Sequence, residues 1–208
     1  MLFVGPLFLQ EGRGASALTS GLTTFPEAIG VVLSTQIVAL LYPRVGPRRL
    51  MAAGLTGVAI MMSLLCLVGS DTSLWLMRML MFLIGAGMAY AFLPMQAAAF
   101  ATITPTATGR ASAIYNAQRQ LGAAFGVAVL SSVLSIVGPT SRSVTGTVQP
   151  NLAAYHAAFL TAAGFALIGA CIALTVHDSD AAVTMQRRGR QSRREDIPEQ
   201  TQRAEVLS

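Results

Sequence analysis

The stretch LWLMRMLMFLIGAGMAYAFLPMQAAAF, residues 74–100, contains one charged side chain, Arg78. As a helix it would extend about 40 Å, more than the roughly 30 Å hydrocarbon core of a bilayer. Working outward, turn-forming sequence stands on both sides: Gly-Ser-Asp at 69–71 and Thr-Pro-Thr at 104–106. Beyond these breaks lie more apolar segments long enough to span, at 22–42, 50–68, 115–137 and 153–176, separated by Gly-Pro at 46–47 and at 138–139. Five full spans result. The 208-residue chain is 53% hydrophobic and only 11% charged, against roughly 25% charged in ordinary globular domains. With a mean hydropathy of +0.60, it has too few polar groups to cover a water-soluble surface. The expected fold is an all-α integral membrane bundle over 1–176, followed by a disordered basic tail at 177–208.

Residues 1–10 are apolar but would reach only about 15 Å as a helix. They lack the basic start and small-residue cleavage site of a signal peptide, so the segment reads as the last half of a helix.

The net charge of +5 does not point to nucleic acid, because the arginines punctuate apolar runs and then cluster at the end. Arg44, Arg48 and Arg49 share the 43–49 loop, Arg110 precedes the fourth span, and six arginines lie in the tail. Loops on the other side hold only Arg13 and Arg142. The positive-inside bias therefore places 43–49, 101–110 and the tail in the cytoplasm of a multi-pass plasma-membrane protein.

Enzyme chemistry finds no footing. His156 and His177 are the only histidines, no nucleophile–His–carboxylate set is apparent, and Gly85-x-Gly87 lies inside a span, where packing explains it. Cys66 and Cys171 sit in apolar segments without a CxxC partner and read as buried, inert thiols; no metal site is expected.

Three stretches carry a family resemblance: LFLQEGRGASALTSGLTTFPEAIG at 7–30, YPRVGPRRL at 42–50, and TPTATGRASAIYNAQRQLGAAFGVAVLSSVL at 104–134. Together they resemble the last six helices of the fourteen-helix drug:proton antiporters of the major facilitator superfamily, the EmrB/QacA type. The resemblance implies a C-terminal transporter half with helices 10 to 14 complete and the end of helix 9 in front. It also implies small lipophilic, cationic substrates, alternating access driven by a proton gradient with no bound cofactor, and a partner in the N-terminal half or in a second copy. The rival expectation is a truncated non-transporting membrane protein, or an assembly partner of another transporter half. In the superfamily's loop motif, Gly-x-Leu-x-Asp-Arg-x-Gly-Arg-Arg, this chain matches at Arg44, Gly46 and Arg48. It has Ala39 for the glycine and Pro43 for the aspartate. Loss of the carboxylate weakens the implied cytoplasmic latch, and Pro43 is expected to end its helix.

Within the spans, Glu27 and Arg78 are the charged candidates for coupling. Glu27 lies five residues into the span expected from 22, and Arg78 four into its own, so both are expected at similar depth. There they would face a central cavity and approach one another; the alternative is that each reaches the headgroups, since Trp75 marks an interface. Phe92 and Gln96 continue a stripe from Arg78 through Phe82, Gly85 and Ala89, flanked by Met81, Met88 and Met95. Asn116 and Arg119 offer polar anchors in the fourth span; Arg119 either meets a wet cavity or snorkels. Gly122 and Gly126 form a GxxxG pair, whose default reading is close helix packing.

Overall fold

The computed structural model of the chain describes residues 4–12, 14–68, 72–138, 140–142 and 148–176. A short helix α1 (Val4–Leu7) widens into a π-helical turn, Phe8–Gly12, and is followed by five long helices: α2 (Ala17–Val45), α3 (Pro47–Leu64), α4 (Leu74–Ala99), α5 (Thr108–Val137) and α6 (Leu152–Ala173). All five are long and apolar enough to cross a membrane; for α3 the crossing continues through the 3-10 turn Leu65–Leu67. Two three-residue strands, Thr140–Arg142 and Val148–Pro150, pair antiparallel between α5 and α6. The expected tail at 177–208 lies outside the described residues.

Helix ends follow local chemistry. Ser16 caps α2 by accepting from the Thr19 amide at 3.2 Å, so the helix begins well before position 22. The hydroxyls that hydropathy counts against a span are satisfied by their own helix: Thr23 Oγ1 donates to the Thr19 carbonyl at 2.7 Å, and Thr24 Oγ1 to that of Ser20 at 3.1 Å. The same helix runs through Pro43 to Val45 and stops at Gly46. Pro43 forfeits only one N–H while keeping a helical φ. Termination comes from Gly46, whose φ of +85° suits glycine and whose amide bonds to the Tyr42 carbonyl at 3.1 Å. Pro47 then opens α3, where a missing N–H costs nothing. Likewise α5 starts at Thr108, earlier than hydropathy alone indicates, because its first turns are polar.

The helices run alternately up and down, which gives the bundle two poles. At the arginine pole Val38, Tyr42 and Leu50 pack with Leu93 and Ala97, beside Arg44, Arg48 and Arg49. At the opposite pole Phe8, Leu65, Met77, Tyr155 and Phe159 belong to one core cluster, with edge-to-face contacts of Phe8 to Tyr155 at 5.5 Å and to Phe159 at 5.7 Å. In space the long helices run α2–α4–α3–α6, and α1 with its π turn touches both α2 and α6. These five elements form a closed ring. α5 stands outside it, packed on α6.

The glycines of α4 explain how tightly the ring closes. A Cβ on Gly85 would run into the Glu27 carbonyl, and one on Gly30 into the Phe82 carbonyl, so α2 and α4 cross backbone against backbone. On the other side of α4, a Cβ on Gly54 would meet the Gly87 carbonyl and Tyr90 Cβ, each at 2.7 Å. Packing is what Gly85-x-Gly87 does.

Candidate functional site

The side chains that α2 turns inward are polar along much of its length. Ser20, Thr23, Glu27, Gly30 and Ser34 recur at steps of three and four and are all buried. Glu27 is 6% exposed. It lies about 15 Å along the axis from Ala17, one turn from Gly30, where α4 crosses closest. Among the described residues Glu27 makes no ion pair and no hydrogen bond.

Arg78 is not its partner, contrary to the expectation of a close approach. Because α2 begins at Ala17 rather than near 22, Glu27 is deeper than expected, and Gly85, not Arg78, stands at its level. Arg78 lies seven residues nearer the opposite pole, about 10 Å by helical rise. Its guanidinium rests over the Trp75 ring, 5.0 Å from the centroid. Trp75 is 73% exposed, so Arg78 belongs to the bundle's rim, where an aromatic and a cation both suit a membrane interface.

The soft stripe on α4 divides. Met81, Gly85 and Ala89 are buried against neighbouring helices, whereas Phe92, Met95 and Gln96, toward the arginine pole, are exposed. Asn116 and Arg119 are exposed on α5, outside the ring and separate from Glu27. Gly122 and Gly126 have no atom within 4 Å of where a Cβ would stand. Of all α5, only Leu134 is buried. Its attachments are Phe125 against Phe165 at 6.4 Å, Tyr115 against Phe100 at 5.6 Å, and Leu130 and Val133 against the core. Arg44 and Arg48 are exposed on the turn that Gly46 makes.

The opposite pole holds a second polar cluster. The Cys66 thiol donates to the His156 carbonyl at 3.5 Å, and His156 Nε2 bonds the Val68 carbonyl at 3.1 Å. Tyr155 donates to Glu11 at 3.5 Å. These bonds fasten the α3, α6 and π-turn ends together. Cys66 is half-buried, but Cys171 is exposed on α6, not buried as expected, because it faces away from the ring. No group of three His, Cys, Asp or Glu among the described residues could hold a metal.

Ser20 was missed by hydropathy, which placed the span's start at 22, and Thr23, inside that span, was not read as a site residue. Their signal was present as spacing: residues 20, 23 and 27 share a helix face once the helix is known to begin at Ala17.

Comparison with known proteins gives a consistent result. The sequence profile of the Major Facilitator Superfamily matches residues 1–204. The chain is 30% identical over 181 residues to the "Puromycin resistance protein pur8" of Streptomyces alboniger, covering 83% of this chain and 36% of that protein. It is 33% identical over 153 residues to the "Multidrug resistance protein Stp" of Mycobacterium tuberculosis, covering 73% of this chain and 27% of that protein. The "Putative multidrug resistance protein MdtD" of Pectobacterium carotovorum is 26% identical over 64% of this chain and 29% of its own length. The chain thus spans roughly a third of the length of the relatives it matches.

Proposed function

Because this chain belongs to the major facilitator superfamily, we propose that it forms the C-terminal part of a proton-coupled multidrug exporter of the fourteen-helix type. The transporter class follows from the family. The drug-export reading is supported by the resistance proteins it resembles and by the three motif stretches at 7–30, 42–50 and 104–134. In this reading the chain lies in the plasma membrane, with the arginine pole and the tail in the cytoplasm.

The observation that carries the coupling proposal is Glu27: a carboxyl 6% exposed in a span, at a helix crossing, without a described partner. A charged carboxylate at bilayer centre costs about 2.5–3.5 kcal/mol on insertion scales, and protonation removes that cost. Such a group favours one helix arrangement when neutral and another when it is charged and wet. That difference is what alternating access needs in order to couple export to a proton gradient.

Substrate contact is proposed for Phe92 and Gln96, which present an exposed aromatic and an amide on α4; Met95 beside them adds a polarizable, adaptable surface for lipophilic cations. Asn116 and Arg119 lie on a face of α5 that this chain leaves open. Lipid is a costly neighbour for an arginine about 16 Å along the helix. We propose that helices beyond this chain cover that face, pack on Gly122 and Gly126, and supply the other wall of the cavity.

The test is export of ethidium from cells lacking their own pumps. This chain would be expressed alone and within a full-length transporter, with Glu27→Gln in the latter. The expected result is export by the full-length form only, and loss of gradient-driven export in Glu27→Gln. Unchanged uphill export in that variant refutes the coupling role. Failure of the full-length form across a broad dye panel refutes drug export.

A further inference from the structure

The polar row on α2 runs from Glu27 toward one pole of the bundle. Ser16 and Thr19, at the helix start, exchange a hydroxyl hydrogen bond of 2.9 Å. Thr23 is fully buried and its hydroxyl donates to the Thr19 carbonyl. Ser20 is 1% exposed, and its Oγ is a buried side-chain atom without a hydrogen-bond partner. Leaving such a hydroxyl unpaired in an apolar setting is unfavourable, and an ordered water is the usual remedy. Apolar packing gives no reason to place an unpaired hydroxyl at Ser20, because alanine would fill the same space without the cost.

A hydroxyl both donates and accepts, so a row of them with water between can hand a proton along. Among the described residues few charges compete. From α4 the nearest is Arg78, engaged with Trp75 at the rim. From the π turn it is Glu11, bonded to Tyr155. On α3, Arg48 and Arg49 lie at the arginine pole. Tyr155 of α6 is held by Glu11.

We propose that Ser20 and Thr23, with water held at the Ser20 hydroxyl, form the path by which Glu27 exchanges its proton with the pole opposite the arginines. A proton from solvent enters at Ser16 and Thr19, passes the Ser20 site and neutralises the Glu27 carboxylate; release follows on the other side of the membrane, once the neutral group has let the helices change arrangement. The inference rests on the reading of Glu27 as the coupling carboxyl. It adds a side: protonation occurs from the pole that the arginine bias places outside the cell.

The test uses the full-length transporter reconstituted in liposomes, with ethidium as the probe and two measurements. One is uphill transport driven by an imposed proton gradient; the other is ethidium exchange at equilibrium, which requires no net proton movement. The double variant Ser20→Ala with Thr23→Val is expected to slow uphill transport by about tenfold, the rate equivalent of one lost hydrogen bond in the path. Exchange should stay within about twofold of the parent, a change worth less than one ordinary hydrogen bond. Thr23→Ser should retain the parent rate, as should Thr24→Val, which lies off the buried face that Ser20, Thr23 and Glu27 share. If Glu27→Gln abolishes uphill transport and the double variant does not slow it, the path is refuted and Glu27 stands. If the double variant loses exchange as well, the row is structural and the path is again refuted. If Glu27→Gln changes nothing, the coupling role fails and the path with it.

Discussion

At the scale of the residue, the bundle depends on side chains that are absent as much as on those present. Gly30 and Gly85 let two backbones touch, and any Cβ there meets a carbonyl oxygen that belongs to the opposing helix and cannot turn aside. Overpacking of this kind costs about 1–3 kcal/mol. Gly85→Val should therefore lower the thermal stability of the detergent-solubilised protein by an amount in that range. Gly57→Ala, where nothing lies within 4 Å, should leave the melting curve unchanged or raise it. Thermal unfolding followed by size-exclusion monodispersity would read both. Arg78 is the contrasting case. Its contact with Trp75 is at an exposed rim, and such cation–π pairs contribute about 0.5–1 kcal/mol. Arg78→Lys should be nearly neutral in the same assay. A collapse of the fold in that variant would mean that Arg78 has a buried partner after all.

At the scale of the element, the join between α5 and α6 shows how a loop controls helix placement. Asn151 accepts from the Ala153 amide at 3.2 Å and donates to the Gly138 carbonyl at 2.9 Å, so one amide caps α6 and holds the end of α5. Asn151→Asp keeps the cap and loses the donation; Asn151→Ala loses both. Caps are worth about 0.5–2 kcal/mol. The expected order of stability is parent, Asp, then Ala, with α5 released more readily to protease in the alanine variant. Equal digestion of all three would show that the Phe125–Phe165 contact holds α5 unaided. The extension of α2 back to Ala17 is a second lesson at this scale. Hydroxyls that bond their own helix backbone cost little in lipid, so a hydropathy window trims helices that are locally satisfied.

At the scale of the whole molecule, charge is divided unevenly between poles: Arg44, Arg48, Arg49 and Arg110 lie at one end of the bundle, and Glu11, Arg78 and Arg142 toward the other. Under the positive-inside bias the arginine end is cytoplasmic. In a full-length transporter with Cys66 and Cys171 replaced by serine, Arg48→Cys should react with an impermeant maleimide only after cells are opened. Thr140→Cys should react in intact cells. The reverse pattern would invert the proposed orientation and move the proton path to the cytoplasmic side.

The sequence by itself determined the membrane class, the number of spans and which loops share a pole. Each of these depends on local hydropathy, turn chemistry or charge count, which the chain carries in linear order. It also marked Glu27 as a charged candidate within a span and Gly85-x-Gly87 as packing. Only the tertiary structure decided that Glu27 stands at Gly85's level rather than Arg78's, because a shift of five residues in a helix start moves a side chain by about 7 Å. Only tertiary structure, too, set α5 outside the ring with Asn116, Arg119 and the Gly122–Gly126 pair facing away. Periodicity shows which residues share a face, but which helix that face meets depends on where the others lie.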